Sequence, residues 1–206
     1  MSGDEIIIVL LAVVAGSIVK AVVGMGLPII AIPVAAIFVD LADAVVIIAF
    51  PNMAANAVMM FQERGHRHET RDLPALAGFG IIGAVIGTIA FVSLPDEPLI
   101  VVLIVAIVGY AVSYFATPDR AMSAETSKRL APIAGTLAGA FQGSIGISGP
   151  VVGSWIHSYR LARNAHIFSV TSLFLITGFV QFAIFVATGE LSGRWVATML
   201  ACIPVL

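Results

Sequence analysis

Lys20 is the one basic residue that lies inside a long apolar stretch, four residues before a segment rich in glycine and proline. A charged side chain at membrane depth is costly to bury, so it is a candidate for binding an ion or transferring a proton. Lys20 could therefore hold an anion or exchange a proton. The alternative is a lysine near a helix end whose ammonium group reaches the lipid headgroups.

Uncharged polar residues occur at similar depth in other apolar stretches. Their amide and hydroxyl groups can bind an oxyanion without the desolvation cost of a fixed charge. The alternative for each is a hydrogen bond between helices, which contributes only ~0.6 kcal/mol. With Lys20 and the glycines and prolines that interrupt two of the stretches, they form the predicted substrate site: Lys20, Gly24, Gly26, Pro28, Asn52, Asn56, Gln142, Ser144, Gly146, Ser148, Gly149, Pro150, Thr171, Ser172, Thr177 and Gln181.

His157 is a candidate proton relay because the pKa of histidine lies near neutrality. Its neighbours Trp155 and Tyr159 favour the alternative, a residue at the membrane interface. An enzyme within the membrane would need a nucleophile and base, or a metal cluster. The sequence has no His-Glu-x-x-His motif and no acidic pair inside an apolar stretch, and its one cysteine, Cys202, is not close to a histidine. We therefore expect no catalytic site, no metal and no cofactor.

The composition indicates that these residues belong to a membrane protein. Of 206 residues, 60% are hydrophobic and 11% are charged, whereas a soluble domain carries about 25% charged residues. The net charge of −2, without a basic run, gives no sign of nucleic-acid binding. Since about 20 helical residues span the hydrocarbon, the apolar runs predict membrane spans at 43–62, 73–93, 99–117 and 165–188.

Two further apolar stretches, 5–38 and 131–159, are interrupted by glycine and proline. Each is too long for one straight helix and too short for two complete spans, so each predicts a hairpin of two helices that meet at a break. A break exposes backbone groups that lipid cannot satisfy, so it must be buried in protein or line a wet cavity. The helices that start near Pro28 and Pro150 would direct free N–H groups and a positive dipole end at an anion.

Basic residues predict the orientation, because basic loops stay in the cytoplasm. We therefore expect a protein of the cytoplasmic (inner) membrane with its N-terminus outside. The N-terminus, with Asp4 and Glu5, lacks the basic region of a signal peptide. The loops 63–72, 118–130 and 160–164 hold eight of the ten Lys and Arg residues: Arg64, Arg67, Arg71, Arg120, Lys128, Arg129, Arg160 and Arg163.

The sequence also contains an internal repeat. With one gap, residues 15–30 align with residues 138–152 at an Ala-Gly pair, a central glycine, a proline and the apolar pair that follows it. Five elements precede the second copy, and because five is odd the second copy enters the membrane from the opposite side. Inverted repeats with discontinuous helices are typical of secondary transporters.

The predicted fold is therefore an all-α integral membrane protein with inverted-topology repeats and two Gly/Pro-broken helical hairpins. The first repeat covers 1–117, a cytoplasmic linker covers 118–130, and the second repeat covers 131–206. The last apolar run, 194–206, is too short to span and predicts an incomplete final helix. Small residues four apart predict close helix packing without chemistry of their own: Gly83, Gly87, Gly135, Gly139 and Gly143.

Segments 15–33, 139–150 and 61–68, the last followed by a glycine-rich span, resemble the sulfite exporter TauE/SafE family. The resemblance covers essentially the whole chain. It implies a membrane transporter of two repeated halves for sulfur-containing anions such as sulfite and organosulfonates. The second break reads Ile147-Ser148-Gly149-Pro150, where the family more often has successive glycines.

The expected function is a secondary transporter of a small sulfur oxyanion or organosulfonate, working by alternating access with the anion held at the two breaks. The expected partners are this anion and membrane lipid, and a homo-oligomer is left open. Two alternatives remain: a non-transporting membrane subunit or assembly factor, and a transporter of another small anion such as a carboxylate.

Overall fold

The computed structural model describes residues 3–116, 121–191 and 193–205, and over these residues the regular structure is entirely helical. Short 3-10 helices cover Arg64–Glu69 and Ile203–Val205. The α-helices are α1 (Gly3–Val23), α2 (Leu27–Ala35), α3 (Leu41–Gln62), α4 (Leu73–Ser93), α5 (Asp96–Ala116), α6 (Ala124–Ile145), α7 (Gly149–His157), α8 (Arg163–Thr188) and α9 (Gly193–Cys202).

Four of the described helices, α1, α3, α4 and α8, are long and apolar enough to cross a membrane. Their outward faces carry large apolar side chains. On α1, for example, Ile7, Leu11, Ile18 and Val22 form a stripe in which each residue is more than half exposed. A continuous apolar stripe of this size suits lipid rather than water. The chain is therefore an α-helical membrane protein.

The linker predicted at 118–130 differs from the structure in its second half. Helix α6 already begins at Ala124, so its first two turns occupy that half. The cause is an N-cap that hydropathy does not detect: the hydroxyl of Ser123 accepts a hydrogen bond from the backbone N–H of Thr126 at 3.2 Å. Residues 118–120 of the predicted linker, and residue 117 at the end of the predicted span 99–117, lie outside the described residues.

Helices α4 and α6 run parallel, and their backbones are in direct contact. A Cβ on Gly139 would overlap the carbonyl oxygen of Gly80, and one on Gly135 would lie 2.6 Å from the carbonyl oxygen of Leu76. Such approach is open only to residues without a side chain, so the predicted packing role is confirmed. We call these two helices the α4–α6 pair. The glycines whose Cβ would meet backbone across the pair are Gly83, Gly87, Gly135, Gly139 and Gly143.

Helices α1 and α2 form a hairpin around residues 24–26, here called the first junction. Gly24 and Gly26 have φ angles of 83° and 118°, which residues with a side chain rarely adopt. A Cβ on Gly16 would lie 2.5 Å from the carbonyl oxygen of Leu27, so the two helices of this hairpin pack closely on each other.

Helices α6 and α7 meet at residues 146–148, the second junction. Gly146 ends α6 in the left-handed conformation with φ 71°, and its N–H donates to the carbonyl of Gln142 at 2.9 Å. Helix α7 starts at Gly149 with proline next in sequence. Every residue from Gln142 to Pro150 is buried, so backbone without helical hydrogen bonds is enclosed by protein here, as membrane depth requires.

The two ends of each hairpin lie close to each other. Glu5, near the start of α1, shares a surface pocket with Val39 and Asp40, which follow α2. In the second hairpin, the N–H of Met122 before α6 donates to the carbonyl of Ser158 after α7 at 3.0 Å. In each hairpin, the first and last residues are therefore neighbours, and the junction lies at the opposite end, here called the tip.

Candidate functional site

The two junctions, far apart in the sequence, line one small and partly open cavity. Its volume is about 10 Å³ open to the centres of water molecules, which is room for about one water. Residues from α3 and α8 complete the wall. The lining residues are Gly26, Pro28, Ile29, Asn52, Gln142, Gly146, Ile147, Ser148, Gly149 and Phe174.

Each short helix packs against the junction of the other hairpin. A Cβ on Gly146 in the second junction would lie 2.8 Å from Cδ1 of Ile32 on α2. A Cβ on Gly153 of α7 would lie 2.8 Å from Sδ of Met25 in the first junction. Glycine at these positions lets the two tips cross closely, and the cavity lies where they cross.

Both short helices begin at this cavity. Helix α2 has Gly26 as its N-cap and α7 has Ser148, and neither helix has a side-chain cap on its first N–H groups. A helix start without a cap leaves N–H donors unsatisfied and carries the positive end of the helix dipole. Each start therefore directs the positive end of its own helix dipole at the cavity.

Lys20 is buried behind the cavity wall, with only 3% of its surface exposed. Its Nζ donates to Oδ1 of Asn56 at 2.6 Å, and Nδ2 of Asn56 donates to Oδ1 of Asn52 at 3.2 Å. Nζ also lies 5.8 Å from the centroid of the Phe174 ring. Asn52 and Phe174 line the cavity, so a hydrogen-bond chain joins the ammonium group to its wall.

Within the described residues, none of the ion pairs involves Lys20. A buried cation without a carboxylate partner is costly unless hydrogen bonds or an anion compensate it. The alternative of a lysine that reaches the headgroups does not describe this side chain, which points into the protein. The structure instead places the amino group of Lys20 at one end of a hydrogen-bond chain that reaches the cavity wall at Asn52.

A neutral network surrounds the second junction. Nε2 of Gln142 donates to the carbonyl of Gly146 at 3.3 Å and to Oε1 of Gln181 at 3.1 Å. Ser148 Oγ donates to Oε1 of Gln142 at 2.9 Å, and Nε2 of Gln181 donates to the carbonyl of Gly143 at 3.2 Å. Both amide hydrogens of Gln142 are used on protein groups. The network satisfies carbonyls at the end of α6 and thereby fixes the junction.

The predicted hydroxyl residues of α8 are buried but do not line the cavity. Thr171 and Thr177 donate to carbonyls of their own helix at 2.7 and 2.8 Å, a common use of a hydroxyl in an apolar setting. The hydroxyl of Ser172 has no hydrogen-bond partner among the described residues. Three other predicted residues are also buried and adjacent without lining the wall: Gly24, Ser144 and Pro150.

His157 is exposed at the end of α7, away from the cavity. Beside it, the indole N–H of Trp155 donates to the hydroxyl of Tyr159. This placement fits the interfacial interpretation of the segment better than a proton relay.

Sequence reasoning missed Asp72, at which three segments of the chain meet. Its Oδ2 accepts a hydrogen bond from Ser127 Oγ at 2.7 Å and from the Tyr159 hydroxyl at 3.2 Å, and Arg71 Nε lies 3.7 Å away. Burial raises the pKa of Tyr159 to about 12, so the phenol keeps its proton at neutral pH. The one signal in the sequence is an acidic residue just before Leu-Pro, a common helix start.

Apolar helices surround a small, mainly apolar cavity with a buried lysine behind its wall, an arrangement that suits a membrane transport protein. The family model described as Sulfite exporter TauE/SafE matches residues 8–205. The chain therefore belongs to the sulfite exporter TauE/SafE family, whose members are membrane transporters of sulfur anions rather than enzymes. No curated protein and no solved structure matches the chain.

Proposed function

We propose that this chain is a secondary transporter that carries a sulfite-like oxyanion or an organosulfonate by alternating access. The observation that carries this proposal is the shared cavity: two uncapped helix starts face it, and Lys20 reaches its wall through Asn56 and Asn52. Helix starts and a cation are the groups with which proteins bind oxyanions. Membership of the family supports a sulfur anion.

The proposed architecture is a pair of inverted repeats, 1–117 and 131–206. The paired ends of the first hairpin lie at the start of α3, because Glu5 and Asp43 line the same pocket. The end of α7 lies beyond the other end of α3, where Tyr159 bonds to Asp72. The hairpins thus enter from opposite ends of α3. With the basic loops in the cytoplasm, the N-terminus lies outside the cytoplasmic membrane.

The proposed binding chemistry divides into direct and indirect contacts. The N–H groups at the starts of α2 and α7 and the amide of Asn52 would contact the oxygens of the anion. Lys20 would act through Asn56, lowering the energy of a negative charge in the cavity. Since the cavity holds about one water, binding requires the two tips to move apart. In alternating access, the cavity opens to only one side of the membrane at a time.

Transport by purified chain in proteoliposomes tests the substrate class. Sulfite, methanesulfonate and thiosulfate are each supplied at a higher concentration on one side of the membrane, and acetate is the carboxylate used for comparison. We expect flux of at least one sulfur anion that exceeds the flux of acetate. Flux of acetate alone would support another anion transporter, and flux of none would support a non-transporting membrane subunit.

A matched pair of variants tests the role of the charge. Lys20→Gln removes the cation but keeps a hydrogen-bond donor toward Asn56. The control is Ser169→Ala, which removes a buried polar group of a different kind. The Ser169 hydroxyl donates to the carbonyl of Ala165 in its own helix. We expect Lys20→Gln to weaken anion binding by about tenfold or more, as loss of a desolvated charge does, and Ser169→Ala to leave it unchanged. Equal binding by both variants would remove Lys20 from the site.

A further inference from the structure

Three polypeptide segments meet at Asp72, on the face of the molecule that carries the basic loops. Asp72 precedes α4, Ser127 lies in the first turn of α6, and Tyr159 follows α7. Both hydroxyl groups donate to the same carboxylate oxygen, Oδ2 of Asp72. One side chain thus links the starts of two long helices to the end of a short one.

Asp72 and Ser127 belong to a rigid part of the molecule. They lie at the start of the α4–α6 pair, whose backbones touch through glycine, and close-packed interiors resist continuous deformation. Ser127 is fully buried, and its one hydroxyl hydrogen lies between Asp72 Oδ2 at 2.7 Å and the carbonyl of Ala124 at 3.1 Å. The Ser127–Asp72 bond therefore lies within the pair and does not cross to another helix.

Tyr159 belongs to the part that must move if the cavity opens on this face. Helix α7 begins at Gly149 in the cavity wall and ends at His157, so its nine residues connect the cavity directly to this face. Tyr159 is 8% exposed, and its ring lies 4.7 Å from the Arg71 guanidinium carbon. The Tyr159–Asp72 bond crosses the boundary between α7 and the α4–α6 pair.

The backbone at both sides of this contact is in an unusual conformation. Asp72 and Arg160 each have φ 53° and are the non-glycine residues with positive φ in the described part of the chain. Such conformations cost about 1 kcal/mol or more and persist where the surroundings hold them, often at switch regions. A second hydrogen bond crosses the same boundary, from the N–H of Met122 before α6 to the carbonyl of Ser158 after α7 at 3.0 Å.

We propose that the hydrogen bond from Tyr159 to Asp72 is a latch that closes the cavity toward the basic face. The latch is released when α7 moves away from the α4–α6 pair, and it forms again when the opposite face opens. This inference rests on the proposed alternating access, but it concerns the opening motion and not the identity of the anion.

Labelling of a cavity cysteine tests the latch. The full chain carries Cys202→Ala, which removes its one cysteine, and Ile29→Cys, which places a thiol in the cavity wall. A charged, membrane-impermeant thiol reagent is applied to vesicles of both orientations. With Tyr159→Phe, which keeps the ring but removes the donor, we expect labelling from the basic face to rise about fivefold, the factor that loss of one hydrogen bond gives.

Ser127→Ala is the matched control, because it removes the other hydroxyl bonded to the same carboxylate oxygen. We expect its labelling rate to equal that of the parent, since its bond lies within the α4–α6 pair. Asp72→Ala should reproduce Tyr159→Phe, and the double variant should add nothing further. An unchanged rate in Tyr159→Phe, or an equal rise in Ser127→Ala, would overturn the proposal. Because labelling needs no substrate, its outcome is independent of failure to transport a sulfur anion.

Discussion

The first and second junctions share a shape but differ in chemistry. Beside the first junction, the buried amino group of Lys20 donates to Asn56, whose amide in turn donates to Asn52. Beside the second junction, Gln142, Gln181 and Ser148 form a neutral network that bonds to the carbonyls of the junction itself. The first junction supplies charge and the second is fixed in position.

The hairpins also differ in what holds them. The first is closed on itself, because Gly16 allows α1 to touch the backbone of Leu27 on α2. In the second, the glycine that aligns with Gly16 is Gly139, and it lies against Gly80 of α4. Helix α6 is therefore bound to a neighbour outside its own hairpin, and α7 is left with fewer restraints. We infer that α7 is the moving arm of the second hairpin.

The largest expected effect comes from disturbing the α4–α6 pair. Gly139→Ala places a Cβ into the carbonyl of Gly80, so we expect the free energy of unfolding to fall by about 3 kcal/mol, as overpacking against backbone does. Gly178→Ala on α8 is the control, because nothing lies within 4 Å of its added Cβ. Thermal unfolding in detergent compares the two. A Gly139→Ala protein that unfolds at the parent temperature would show that α6 is not bound rigidly to α4.

Replacing a side-chain amide by a carboxylic acid should have different effects at the two junctions. Asn56→Asp places a carboxylate beside Nζ of Lys20, where it neutralises the cation. We expect anion affinity to fall by about tenfold or more, while the unfolding temperature falls only slightly, because pairing with Lys20 offsets the lost Nδ2 donors to the backbone and side chain of Asn52. Isothermal titration and thermal unfolding measure the two effects. Unaltered affinity would mean that the charge of Lys20 does not reach the cavity.

The same exchange at the second junction has the opposite pattern. Gln142→Glu loses the donors to Gly146 and Gln181 and gains a carboxylate, and the network around it contains no cation. Leaving buried acceptors unsatisfied costs about 1–3 kcal/mol, so we expect a clear fall in the unfolding temperature. Gln181→Glu, which loses the bond to the carbonyl of Gly143, should behave alike. Unfolding temperatures equal to that of Asn56→Asp would erase the distinction between the junctions.

Much of the helical framework follows from hydropathy alone. The runs at 43–62 and 73–93 correspond to α3 and α4, whose ends are set by loops with charge and proline. The start of α6 was misplaced because residues 124–130 are polar, and helix formation there depends on the Ser123 cap and not on apolar character.

The site was predictable in kind but not in its pairings. Glycine and proline at residues 24–28 and 146–150 indicate backbone that must be enclosed, which is a local property of the sequence. The bonds from Lys20 to Asn56 and from Gln142 to Gln181 join residues 36 and 39 positions apart. Such pairings depend on how helices are placed relative to one another. Asp72 was missed for the same reason.

Backbone strain predicts a smaller difference in the free energy of unfolding, between variants of Gly26 in the first junction and of Gly149 beside the second. Gly26 has φ 118°, so Gly26→Ala should lower the free energy of unfolding by about 1–3 kcal/mol. Gly149 starts α7, and an added Cβ would lie 3.3 Å from the flexible Cδ1 of Ile29. We therefore expect Gly149→Ala to change stability by about 0.5 kcal/mol or less. Chemical denaturation of both variants measures this, and equal losses would contradict the assignment of strain to Gly26.

The smallest expected effect concerns α8. The Thr177 hydroxyl already donates to the carbonyl of Leu173, so Thr177→Val, which keeps the shape, should alter anion affinity by about twofold at most, in line with the small contribution of such bonds. Ser148→Ala, in the cavity wall, is the comparison and should weaken binding more. If Thr177→Val instead weakened binding as much as Lys20→Gln, its hydroxyl would have to leave Leu173 and face the anion. The binding site would then extend along α8, and the half of the molecule that contains the second junction would contact the anion directly.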